Sequence, residues 1–159
     1  MSTNKKMHWK QALAQSRQRL LTLLTSLTTE QWQTPVYDEG QTWTVLDLAA
    51  HLMDTEKGMS IQIHKIRKGR ETVPEGFDLD GWNAGLKERV GAPTPAEVLA
   101  GLEEVRARTL AELASLNDEE WQLSGRHPSR GIITIEQYYE TIAWHETHHG
   151  DHMRQALQQ

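Results

Sequence analysis

The chain has 159 residues, eight histidines, no cysteine and a formal net charge of −5. That length suits one domain, residues 1–159, with enough chain to bury a core. Without cysteine there can be no disulfide scaffold, thiolate zinc finger or cysteine nucleophile, and the acidic balance argues against nucleic acid as the main partner.

The apolar residues fall in heptad-like rows. Trp9, Leu13, Ser16, Leu20, Leu23 and Leu27 predict a first helix from about residue 6 to 27. Val45, Leu48, Leu52, Thr55, Met59 and Ile63 predict a second, from about 44 to 68. Residues 69 to 93 are punctuated by Gly69, Gly76, Gly91 and two prolines, with a short helix expected around 79 to 89. Val98, Leu102, Val105, Thr109, Leu113 and Leu116 mark a third long helix over about 95 to 116. Ile135, Tyr138, Ile142, His145, His149, His152 and Ala156 mark a fourth, from about 134 to the end. Thr44 to Asp47 and Thr134 to Gln137 read as capping boxes, and Thr94-Pro95 places proline at the first helical position. No segment alternates with period two, so strands are not expected.

A weak repeat links Ser26 to Trp32 with Ser115 to Trp121. Each copy follows a long helix and precedes a capped one. The expectation is a corner used twice, with Trp32 and Trp121 plugging the bundle ends and two similar helix hairpins. No apolar run approaches the roughly 18 residues of a membrane span. Met1 to Lys6 is polar and carries no signal-peptide pattern, so a cytoplasmic location is expected.

Four histidines crowd into one stretch: His145, His148, His149 and His152. His145 and His149 differ by about 40° around a helix and continue an apolar row. Buried imidazoles need partners for two ring nitrogens, and an unpaired one costs roughly 1–3 kcal/mol. Spacing i, i+4 suits two ligands of one ion, and a cysteine-free metal site must be built from His, Asp or Glu. His51, beside Leu48 and Leu52, is the candidate third ligand. Three imidazoles would leave one position open, as catalytic sites do. The competing readings are hydrogen-bonded structural histidines and an unstructured polar tail.

Height along the bundle gives a topology. His51 lies roughly 10 Å from the start of its helix, while His145 and His149 lie roughly 12–18 Å from the end of theirs. The heights agree if helices 2 and 4 are antiparallel. That predicts an all-α, up-down-down-up four-helix bundle, with residues 69 to 93 as the long crossover between helices 2 and 3. His64, His8 and His127 have no spacing argument. His148 is expected at the rim or in solvent, and His152 in solvent or behind the ligands.

His145-Glu146-Thr147-His148-His149 also satisfies H-E-x-x-H, the zinc-protease helix motif. The next histidine, His152, stands where the extended motif has glycine, and no sheet edge is expected to hold a peptide. Glu146 is either a base or an exposed helical carboxylate. Glu56 and Asp54 are alternative bases, and no catalytic residue is assigned.

With these residues in view, the chain resembles the DinB/YfiT-like family of metalloenzymes, the damage-inducible helical proteins rather than the polymerase sharing the name. The resemblance rests on Trp43 to Leu52, containing His51, and on His145 to Gly150 ahead of Arg154. It implies an up-down-down-up bundle and a divalent metal, often zinc or nickel, on His51, His145 and His149. It also implies a homodimer. Some members use a low-molecular-weight thiol such as bacillithiol or mycothiol in transfer, and others hydrolyse reactive compounds. The expected function is therefore activation of such a thiol, or of water, against a small electrophilic substrate. A thiol would have to arrive from outside this cysteine-free chain. The alternative is a non-catalytic metal-binding or dimerisation module.

Overall fold

The computed structural model describes residues 2–38 and 40–158. The chain runs α1 (Ser2–Leu24), α2 (Thr29–Trp32), β1 (Pro35–Asp38), β2 (Gln41–Thr44), α3 (Val45–Arg67), α4 (Leu79–Ala84), α5 (Leu86–Val90), α6 (Pro95–Ser115), a 3₁₀ turn at Asp118–Glu120, β3 (Ser124–His127), β4 (Gly131–Thr134) and α7 (Ile135–Leu157). The three long helices after the first start at threonines whose side chains accept from the backbone N–H three residues on: Thr44, Thr94 and Thr134. In each, the third helical side chain closes the box by accepting from the threonine N–H.

Contacts along the long helices fix their directions. α1 and α7 are parallel: Lys5 meets Glu136 at 3.0 Å near their starts, and Arg154 donates to the Arg19 carbonyl at 2.9 Å near their ends. α3 and α6 are also parallel, since Arg106 meets Glu56 mid-helix at 2.9 Å and Arg67 meets Glu112 at 3.1 Å further on. α3 and α7 run oppositely, with His51 against His145 and Gln62 against Tyr138. The bundle is up-down-down-up, and the crossover containing α4 and α5 spans its length, as the histidine heights require. Among the described residues no helix is long and apolar enough to cross a membrane.

Two expectations are corrected. Each corner continues into a short antiparallel hairpin, β1–β2 with Val36 opposite Trp43 and β3–β4 with Gly125 opposite Ile133. Four-residue strands are too short to display alternation in sequence. The second hairpin turns at Gly131, whose φ of 73° favours glycine. The helices joined by each corner also do not pack side by side. α1 lies along α7, and α3 lies along α6 and α7, so the two helices joined by a corner sit diagonally across the bundle. A hairpin is the longer connection that this diagonal needs.

The core has two apolar halves. One gathers Leu20, Leu24, Trp32, Trp43, Leu48 and Met153; the other gathers Leu13, Ile63, Leu113, Trp121, Ile135 and Tyr139. Trp32 and Trp121 close opposite ends, as expected. Between the halves lies a buried charged layer. Arg17 is paired with Glu146 and Glu56, and Arg106 with the same two carboxylates. Ser16 and Thr109 donate to Glu146 and Glu56, each at 2.7 Å. The guanidinium groups also donate to the Leu102 and Leu13 carbonyls. Buried ions are tolerable only when their hydrogen-bonding positions are filled in this way.

Candidate active site

One helical turn separates His145 from His149 on α7, and both face α3, where His51 stands two turns from the helix start. The antiparallel packing brings the three rings together. His51 Nε2 lies 3.3 Å from His145 Nε2, and His149 Nε2 lies 2.8 Å from His145 Nε2. One ligating nitrogen from each ring falls within 4.8 Å of the other two. His149 is fully buried and His51 nearly so, while His145 is half-buried at the open edge. Trp43 of β2 packs on the His51 ring with centroids 4.7 Å apart, so the first hairpin braces the cluster. On its other side His51 Nδ1 faces the Thr55 hydroxyl at 3.4 Å.

The cluster opens into a cavity of about 400 Å³. Its floor is one stripe of α3: His51, Thr55, Gly58, Gln62 and Lys65. The crossover supplies Phe77 and Trp82, and α7 supplies Trp144. Trp82 is fixed by Arg89, which stacks 3.7 Å from its ring and pairs with Asp54 at 2.9 Å.

His127, unassigned from sequence, belongs to the cavity wall. Its Nδ1 accepts from the Ser129 and Arg130 amides at 3.1 and 3.2 Å. The neutral ring therefore carries its proton on Nε2. Burial first, then the nearby Arg130 guanidinium and the His145 ring, lower its pKa to about 4. The turn-forming run Pro128 to Gly131 that follows it was the available sequence signal.

The candidate bases separate. Glu146 is buried with both oxygens engaged by Arg17, Arg106 and Ser16. Burial raises its pKa, but Arg106 and Arg17 outweigh that and hold the carboxyl below its ordinary range. Glu56 is likewise enclosed by arginines and Thr109. Both are parts of the charged layer, so the exposed-carboxylate reading of Glu146 is also wrong. Asp54 alone of the three lines the cavity. His148 stacks on Trp144 with centroids 4.4 Å apart, His152 is half-buried beside His148, and His64 is exposed and meets Glu112 at 3.3 Å.

Fold and site together define a class: an up-down-down-up helical bundle with three converging imidazoles at the inner end of an apolar cavity. The chain belongs to the DinB superfamily, whose sequence profile matches residues 12–153. It is 31% identical over 155 residues to the Bacillus subtilis protein named "Putative metal-dependent hydrolase YfiT", covering 96% of this chain and 84% of that one. The solved structure of YfiT, described as an unusual four-helix bundle topology, superposes with a TM-score of 0.77 at 27% identity, over 98% of this chain and 87% of that one. A second protein, named "Putative metal-dependent hydrolase OB0413", of Oceanobacillus iheyensis, is 26% identical over 121 residues, 76% of this chain and 68% of that one. The colibactin self-resistance protein ClbS, solved with double-stranded DNA, shares the fold at a TM-score of 0.70 and 17% identity, covering 94% of each chain.

Proposed function

We propose that His51, His145 and His149 hold a divalent metal ion, zinc or nickel, and that the protein is a metal-dependent hydrolase of a small electrophilic molecule. The observation that carries this reading is the convergence of three Nε2 atoms at the inner end of a cavity. Two tetrahedral ligand nitrogens at about 2.0–2.1 Å from zinc stand roughly 3.3 Å apart. The His51–His145 separation of 3.3 Å fits that spacing, and the 2.8 Å between His145 and His149 needs only a small side-chain adjustment. When bound, such an ion supplies Lewis acidity and makes water a nucleophile near neutral pH.

The residues around the cluster supply the rest. Trp43 and Thr55 orient His51. The aromatic walls exclude bulk water from a bound substrate. Asp54 is the carboxylate within the cavity, although Arg89 holds it, and His127 offers a neutral N–H donor for a developing negative charge. The names and likeness of YfiT and OB0413 support metal-dependent hydrolysis.

A second reading keeps the same ion but takes an external thiol, bacillithiol or mycothiol, as nucleophile. The cysteine-free sequence favours an external source for any sulfur used here. The non-catalytic alternative of a metal-binding or dimerisation module leaves the cavity without a role. The deciding experiment is metal analysis of the purified protein, then turnover of activated esters and amides with and without added thiols. Turnover in water alone supports the hydrolase, thiol-dependent product formation supports the transferase, and a protein with no bound divalent ion overturns both.

A further inference from the structure

The α3 stripe that floors the cavity ends in two polar groups far from the histidines. Gln62 and Lys65 lie about three and four turns beyond His51, roughly 16 and 21 Å along the axis. Long helical side chains lean toward the helix N-terminus, so Lys65 reaches back over the cavity floor. Among the described residues Lys65 has no hydrogen-bond or ion-pair partner for its side chain, whereas its neighbours His64 and Arg67 are both engaged by Glu112. The Tyr138 hydroxyl meets Gln62 Oε1 at 2.6 Å, which leaves the Gln62 amide NH₂ for the cavity. Lys65 and Arg130 are the cations on the wall, and the carboxylate there, Asp54, is already matched by Arg89. Arg130 faces Glu140 at 3.8 Å, so Lys65 is the cation that the wall leaves unmatched, in a chain of net charge −5.

Midway along the same stripe stands Gly58. Glycine inside a helix is unfavourable relative to alanine by roughly 0.5–1 kcal/mol. Here no backbone strain calls for it, and a Cβ would meet nothing within 4 Å. Gly58 itself lines the cavity.

We propose that the cavity takes an elongated, largely apolar substrate bearing a carboxylate, with the carboxylate held by Lys65 and the Gln62 amide and the apolar body passing over Gly58. The inference deepens the proposed hydrolase reading and rests on it only for which end of the substrate reacts. The substrate class is an ester or amide joined by an apolar spacer, roughly 10–15 Å long given the helical rise, to an acidic group.

The test uses octanoate and 1-octanol on metal-free protein, followed by calorimetry, so it does not depend on activity. Octanoate should bind about tenfold more tightly than octanol, the gain of one charge-assisted contact. Lys65→Met should bring octanoate to the level of octanol, and Lys65→Arg should retain the preference. Gly58→Leu should weaken both ligands at least tenfold while the protein stays folded by circular dichroism. Equal affinities in the unaltered protein, or a preference that survives Lys65→Met, overturns the inference. A preference lost in His149→Ala but kept in Lys65→Met places the anion on the imidazoles and also overturns it. If no metal binds but the Lys65-dependent preference stands, the hydrolase reading fails while the carboxylate subsite survives.

Discussion

Arg106 on α6 donates from Nη2 to the carboxylate of Glu146 on α7 at 2.7 Å, although these consecutive helices lie diagonally across the bundle. The same guanidinium reaches Glu56 on α3 and the Leu13 carbonyl of α1. One side chain thus ties all four long helices at mid-height. Replacing Arg106 by Met leaves Glu146 and Glu56 short of a buried partner. The expected loss is about 3–5 kcal/mol of stability, the range for breaking a buried ion pair from one side. Urea denaturation measures it, and a loss below 1 kcal/mol contradicts the role.

His149→Ala should abolish stoichiometric metal binding, because the fully buried imidazole is the innermost of the three. His148→Ala, one position earlier but stacked on Trp144, should leave it intact. Metal content of the two purified variants, by mass spectrometry, separates them. Full metal in His149→Ala removes that residue from the ligand set.

Stability should depend on pH through His127. Its pKa falls from 6.5 to about 4 on folding, with burial the first cause. The unfolded chain therefore binds the extra proton first. The contribution is complete above pH 6.5 and is lost as pH falls toward 4, up to about 3 kcal/mol. His127→Asn keeps an acceptor for the Ser129 and Arg130 amides but cannot titrate. Its melting temperature should fall less than that of the parent protein between pH 7 and pH 4.5, and parallel curves would refute the assignment.

Gly58→Ala should raise stability by about 0.5–1 kcal/mol, or roughly 1–4 °C in Tm. The methyl enters open space, and α3 loses a flexible point. A lower Tm would mean that the backbone at Gly58 has a requirement the helix does not reveal.

Much of this was legible in the sequence because helical phase is a strong code. His51, His145 and His149 were singled out by rotation and height, and the structure brings the three rings together. The four long helices fall near their expected ranges, but α1 ends at Leu24 rather than near Leu27, because Thr28 caps a separate short helix. The charged layer was not legible. Arg17 and Arg106 look like surface residues in one dimension, and only the facing carboxylates reveal their burial. The hairpins escaped notice because each strand buries too few side chains to mark a face. His127 escaped because its environment is assembled from a turn and from α7, which sequence spacing does not relate.

The two corners have a wider consequence. The spacing that separates Trp32 from Trp121 also separates Arg17 from Arg106, and the spacing from Thr44 to Thr134 also separates Glu56 from Glu146. Each half of the chain therefore contributes one arginine and one glutamate to the central layer. The scaffold is a near-duplicate built on an approximate two-fold relation, like two copies of a helix pair fused head to tail. The histidines break that relation: the counterparts of His145 and His149 in the first half are Thr55 and Met59, and that of His51 in the second is Thr141. The repeated positions hold the bundle up, and the candidate metal ligands stand where the two halves differ.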